Sequence, residues 1–142
     1  MDNLTPEQRS HMMSRVRSKD TRPELTVRKL AHARGLRFRK HCKHLHGCPD
    51  LVFARAGVVV FVDGDYWHGW RFPAWRAKLP SYWKEKIERN RRRDRRNFDR
   101  LRRAGWLVIR VWEHEVERDA ACCVDRIEAA VRSRIETRSQ ST

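Results

Sequence analysis

Asp50-Leu51-Val52-Phe53-Ala54-Arg55-Ala56-Gly57-Val58-Val59-Val60-Phe61-Val62-Asp63 is the stretch that decides the fold. Two short runs rich in β-branched residues flank a turn at Ala56-Gly57, which is the pattern of a β-hairpin. The second run is apolar from Val58 through Val62, so both its faces must be covered and it belongs in the middle of a sheet. A carboxylate stands at the open end of each run: Asp50 enters the first and Asp63 leaves the second.

Working outward, Leu36 and Phe38 alternate with Arg37 and Arg39, which predicts a half-buried strand over 36–40. Before it, Thr21-Arg22-Pro23-Glu24 offers a cap, an early proline and an early acid. Leu25, Val27, Leu30 and Ala31 then follow at helical spacing up to Gly35. Thr5-Pro6-Glu7-Gln8 repeats the start signal for a short helix toward Met13 or Val16. Residues 64–80 read as a long functional loop dense in aromatics. A helix is predicted from Pro80 to about Arg103, with Trp83, Ile87, Phe98 and Leu101 on one stripe and Gly105 closing it. A buried strand over 106–111 and an amphipathic helix from about Val116 to Ile135 complete the chain. The fold class is α/β, with a mixed central sheet flanked by helices. Residues 1–20 form an N-terminal arm, 21–136 a single domain, and 137–142 a disordered polar tail.

The 142 residues carry 33 Lys and Arg against 18 Asp and Glu, a formal net charge of +15. A polyanion is the expected partner. No stretch approaches the roughly 20 apolar residues of a spanning helix, so a soluble, cytoplasmic chain without membrane contact is expected. Six tryptophans and 39% hydrophobic residues exclude compositional disorder. Cys42, Cys48, Cys122 and Cys123 show no disulfide pattern. His41-Cys42-Lys43-His44-Leu45-His46-Gly47-Cys48 has metal-ligand residue types without the paired spacing of common zinc sites, and is read as a polar loop delivering Asp50.

Asp50 and Asp63 make an oxygen-lined place for a hard cation such as Mg²⁺; the plain alternative is a turn cap. His68, five residues after Asp63, is either a general base or a structural histidine. Extending the helical stripe through 90 and 94 turns Asn90 and Asp94 inward, and a buried acid needs a partner, either a histidine or an arginine. Between Lys84 and Arg103 stand eleven Lys and Arg against four acids, including Arg92, Arg93, Arg95 and Arg96, which suits phosphate contact. Tyr66, Trp67 and Trp83 are aromatics able to stack on bases or wedge between them.

Residues 11–115 resemble the very short patch repair (Vsr-type) endonucleases. The landmarks are Met13-Ser14-Arg15-Val16-Arg17-Ser18-Lys19-Asp20-Thr21 with Glu24, Gly47-Cys48-Pro49-Asp50, Phe61-Val62-Asp63-Gly64-Asp65-Tyr66-Trp67-His68, Trp83-Lys84-Glu85-Lys86-Ile87, Arg93-Asp94-Arg95-Arg96, Gly105-Trp106 and Val111-Trp112-Glu113. The resemblance implies a restriction-endonuclease-like (PD-(D/E)XK-type) core and Mg²⁺-dependent nicking of double-stranded DNA at a T:G mismatch by a monomer. It implies Asp50 and the Val62 carbonyl as Mg²⁺ ligands, His68 as general base, Asp94 as its orienting partner and Glu24 beside the metal-bound waters. Asp63 stands where the family can have histidine. Tyr66, Trp67, Trp83, Met13 and Val16 match residues that engage DNA. The family commonly holds a structural zinc, and the corresponding positions here are Asp65, Trp70, Phe72 and His114. We therefore expect no structural zinc, with packing by Trp70, Phe72 and Trp75 in its place. Rival expectations are a sequence-specific nickase or restriction-type nuclease on paired DNA, and a catalytically silent DNA-binding module.

Overall fold

Strand β3 (Val58–Asp63) crosses the centre of the protein with all six residues buried. The computed structural model describes residues 20–66 and 68–140; Met13, Val16, Trp67 and the short helix expected after Thr5 lie outside these described residues. Strand β2 (Leu51–Phe53) pairs antiparallel with β3, Leu51 opposite Val60 and Phe53 opposite Val58. Strand β1 (Arg39–Lys40) adds antiparallel to β2, and β4 (Leu107–Trp112) runs parallel to β3. The sheet order is β1-β2-β3-β4. A parallel neighbour cannot be reached through a tight turn, so residues 64–106 form a long crossover that contains α2 (Phe72–Trp75) and α3 (Ser81–Arg103).

Alternation along β3 assigns its residues to two cores. Val58, Val60 and Val62 pack with Val27 and Ala31 of α1 (Arg22–Ala33) and Val124, Ile127 and Val131 of α4 (Glu113–Gln140). Val59 and Phe61 face the other way and pack with Phe98 and Leu101 of α3. The mixed sheet with helices on both faces is the expected α/β architecture, consistent with a restriction-endonuclease-like core. Among the described residues no helix is long and apolar enough to cross a membrane.

The Thr21 hydroxyl accepts from the Glu24 N–H at 3.4 Å and opens α1 as predicted. Several boundaries differ from expectation, and β4, expected to be buried, buries only Val111 fully. The strand over 36–40 shrinks to Arg39–Lys40, because Leu36 turns into the core beside α1 and α4. The loop over 64–80 contains α2 and a 3₁₀ turn over Arg76–Lys78. The last helix starts early, at Glu113, where the Glu115 carboxylate accepts from the Trp112 N–H at 3.0 Å. Asp119 leaves helical geometry (φ −159°, ψ 84°) and its carboxylate accepts from the Cys122 N–H, capping a second helical segment within α4. Residues 137–140, expected in a disordered tail, continue this helix to Gln140. Arg134 donates to the carbonyls of Ala56 and Gly105, and Arg138 to those of Ala54 and Arg55, so the helix end is fastened to the β2–β3 turn.

Candidate active site

Antiparallel pairing of β2 with β3 places the entry of one strand beside the exit of the other. Asp50 and Asp63 therefore share one end of the sheet, 9% and 6% exposed. An Asp50 carboxylate oxygen accepts from the Val62 N–H at 2.6 Å, which brings the Val62 peptide against the acid. Burial drives the Asp50 carboxyl up to about 8 against the Val62 hydrogen bond, with the charges of Glu24 and Asp63 adding to the rise. Gly47, in the loop leading to Asp50, has φ +78°, and a side chain there would press on Phe61 and Asn97 at 3.2–3.3 Å.

Glu24 projects from the first turn of α1 and is only 1% exposed. Its Oε1 lies 3.1 Å from His41 Nε2, yet the alignment is too poor for a hydrogen bond, and this buried oxygen has no hydrogen-bond partner among the described residues. Burial pushes the Glu24 carboxyl up, opposed by the charges of His41 and Arg28. The same His41 nitrogen stands 3.1 Å from Asp20, which Arg28 contacts at 2.7 Å. Hydrogen bonds from His41 and Arg28 hold the exposed Asp20 carboxyl down at about 2. Asp20, Glu24 and His41 thus form one group of metal-ligating side chains.

A second such group is Asp63, His68 and Asp94. Asp94 faces inward from α3, as its place on the apolar stripe predicts, and is 8% exposed. Its Oδ2 lies 2.6 Å from His68 Nδ1. A carboxylate can only accept, so Nδ1 carries the proton and Nε2 faces Asp63 at 3.5 Å. Burial favours neutral His68, but the Asp94 hydrogen bond and the charges of Asp63 and Asp94 outweigh it and raise the imidazole's pKa. Arg110 of β4 bridges the two acids, with Nε 2.8 Å from Asp63 and Nη2 2.8 Å from Asp94. Burial pushes the Asp63 carboxyl up, countered in part by the charges of His68 and Arg110. Both alternatives posed for Asp94, a histidine and an arginine, are realised at one carboxylate oxygen.

Sequence reasoning named Asp50, Asp63, His68, Asp94, Glu24 and Val62, and missed Arg110, His41, Asp20 and Arg28. The visible signal for Arg110 is a lone charge inside the otherwise apolar run Leu107–Trp112. Of the expected DNA-contacting residues, Arg92, Arg93, Arg95 and Arg96 are exposed on α3. Tyr66 is half-buried and stacks on Trp75 at 5.5 Å. Trp83, expected to contact DNA, is instead a core side chain only 5% exposed, while its neighbour Tyr82 is 61% exposed.

A family described as DNA mismatch endonuclease Vsr matches residues 1–73. The chain is 42% identical over 137 residues to the type II nicking enzyme V.NmeDIP of Neisseria meningitidis serogroup C, covering 94% of this chain and 93% of that one. It belongs to the Vsr family. It is also 47% identical over 119 residues to the type II nicking enzyme V.XorIIP of Xanthomonas oryzae pv. oryzae, covering 81% and 86% of the two chains. Identity to the DNA mismatch endonuclease Vsr of Escherichia coli K12 is 37% over 110 residues, 74% of this chain and 69% of that one. In this Vsr-family chain the two Asp/Glu/His groups, each built on buried carboxylates, support the active site of a metal-dependent nuclease. The donor set fits a hard divalent cation: Asp50 and Glu24 are buried carboxyls whose burial raises their pKa, and one Glu24 oxygen accepts no hydrogen bond among the described residues.

Of the four positions where the resemblance implies zinc ligands, Asp65, Trp70 and His114 meet, Phe72 packs nearby, and none carries a thiol. Asp65 Oδ1 lies 2.7 Å from His114 Nδ1, and the Trp70 ring packs on His114 at 4.0 Å. Phe72 contacts Trp75 edge-on at 5.2 Å, and the Trp75 indole N–H donates to the Trp70 carbonyl at 2.9 Å. This latch ties the segment after β3 to the first turn of α4. Among the described residues no group of three metal-ligating side chains includes a cysteine.

Proposed function

We propose that this chain nicks one strand of double-stranded DNA at a T:G mismatch, hydrolysing a phosphodiester bond with Mg²⁺. The observation that carries the reading is the hydrogen-bonded series Asp94, His68 and Arg110 beside the buried Asp50. Asp50 and the Val62 carbonyl would hold the ion, with Glu24 next to them. Bound there, Mg²⁺ supplies charge to polarise the scissile phosphate and stabilise the leaving oxygen.

The protein's own groups account for the proton. Asp94 accepts from Nδ1 and so presents Nε2 of His68 to take a proton from the attacking water. The imidazolium that forms lies between two carboxylates, which lowers its cost. Arg110 offsets the surplus negative charge of Asp63 and Asp94, so that the acids hold the base without trapping it in the protonated form. Hydrolysis in this sense leaves a 5′-phosphate. The basic face of α3 tracks the backbone of the substrate, and the enzyme acts as a monomer in the cytoplasm.

A second reading is nicking of fully paired DNA at a specific sequence; V.NmeDIP and V.XorIIP are named as type II nicking enzymes, with no mismatch in the name. Cleavage of matched and T:G-mismatched duplexes across a library of flanking sequences, with Mg²⁺ or EDTA and with Asp50→Ala as control, separates the two. Mg²⁺-dependent nicking confined to mismatches is the expected result. Nicking of matched duplexes would replace it with the second reading, and full activity of Asp50→Ala would refute the site.

A further inference from the structure

Beside His68 lies a cavity of about 280 Å³ lined by five arginines, Arg71, Arg91, Arg95, Arg102 and Arg110, and by no carboxylate. Guanidinium groups stay charged at any working pH, so five around one hollow repel one another unless an anion enters. Arg110 is matched by Asp63 and Asp94, and Arg102 by Asp99 at 3.6 Å. Arg71, Arg91 and Arg95 have no carboxylate within ion-pair distance among the described residues. Aromatic rings position two of them instead: Arg71 lies over Trp70 at 4.8 Å and Arg91 over Phe72 at 5.5 Å. A guanidinium resting on a ring uses its face and keeps its N–H donors for another partner.

The residue immediately after the base makes room for this arrangement. Gly69 has φ +71°, and a Cβ there would stand 2.7 Å from Arg91 Cδ. The absence of a side chain at 69 lets Arg91 close against the His68 segment. The cavity therefore shares His68 as a wall with the catalytic site, and any group bound in it is held at a fixed distance from the base.

We infer that this cavity is a phosphate-binding site, and that it receives a phosphate of the cut strand next to the scissile linkage. The inference deepens the nuclease reading and rests on it for the identity of the substrate as DNA. Two sources share the chemistry: an internal phosphodiester flanking the cut, and the terminal 5′-phosphate the cut releases. Their common requirement is bidentate donation to non-bridging oxygens, which arginine satisfies and lysine does not.

The first test uses the full chain in EDTA, titrated with inorganic phosphate and followed by the side-chain Nε–Hε NMR signals of its arginines. Saturable shifts are expected in the wild type, with binding weakened roughly 10- to 100-fold in Arg91→Ala and only partly restored in Arg91→Lys. Thermal unfolding of each variant establishes that it is folded. Equal phosphate binding in the wild type and both variants, or none in the wild type, would overturn the site. In a second arm, duplexes carry one uncharged methylphosphonate at successive positions around the cut. Loss of rate at a single non-scissile position in the wild type, abolished in Arg91→Ala, identifies an internal phosphodiester. Inhibition by 5′-phosphorylated but not 5′-hydroxyl nicked product identifies the terminal phosphate. Phosphate binding that depends on Arg91 in a chain that cuts no DNA would refute the nuclease reading and leave the anion site standing.

Discussion

Asp50→Asn should make the metal-free protein more stable while abolishing cleavage. In the metal-free chain the Asp50 carboxyl titrates near 8 rather than at its ordinary 3.8. Below 3.8 the folded and unfolded states are both protonated and the group is neutral to stability. Between 3.8 and 8 the unfolded chain releases the proton and the folded chain keeps it, so stability falls as pH rises, by about 1.36 kcal/mol per unit at most. At pH 7 that amounts to an upper bound of about 4 kcal/mol, and local relaxation brings the expected effect to about 1–3 kcal/mol. Asparagine keeps an acceptor for the Val62 N–H, now 2.6 Å from the carboxylate, and offers its amide to the neighbouring acids. Urea unfolding in EDTA at pH 5 and pH 7.5 is the assay. The variant should gain on the wild type as pH rises, and Mg²⁺ should stabilise the wild type alone. A variant less stable than the wild type at both pH values, with an unchanged pH slope, would refute the reasoning.

The two acids raise the His68 imidazole's pKa, so the rate of nicking should rise with pH through a midpoint above 6.5, and Asp63→Asn should lower that midpoint; a pH–rate profile unmoved by the substitution contradicts this. His68→Ala should lose about 10²- to 10⁴-fold in single-turnover rate with DNA binding retained. Arg110→Gln leaves Asp63 and Asp94 without their shared cation and should cost roughly 3 kcal/mol in chemical denaturation, along with most of the activity; an effect below about 0.5 kcal/mol would show the bridge to be incidental. Protein purified without added metal should contain no stoichiometric zinc by elemental analysis, and Asp65→Ala should lower stability by about 1–2 kcal/mol through loss of the His114 contact.

The hairpin, the crossover helix and the inward turn of Asp94 were legible because each rests on periodicity, which a sequence displays directly. Asp50 and Asp63 were legible as carboxylates at apolar strand ends, while the roles of Glu24 and the Val62 carbonyl came with the resemblance. Arg110 was not legible, because its partners stand 47 and 16 residues away and only the parallel register of β4 on β3 brings them together. His41 was masked by the Cys and His residues around it, although it is His41 that approaches Glu24. The early start of α4 escaped notice because its cap comes from Glu115, inside the helix. Trp83 shares a stripe with Ile87, a spacing that marks core, while the resemblance assigns it to DNA; the structure buries it.

The parallel register of β3 with β4 also sets when the enzyme can first become dangerous to its host. Asp63 lies opposite Trp112, and Arg110 comes from the strand laid down after the whole crossover. A nascent chain that has just completed β3 already carries Glu24 and Asp50 but lacks His68, Asp94 and Arg110. Pairings this distant along the chain form late, because loop closure must precede them. On the proposed mechanism, an unfinished or truncated product that ends before α3 has no carboxylate to orient the His68 imidazole and should not cut DNA.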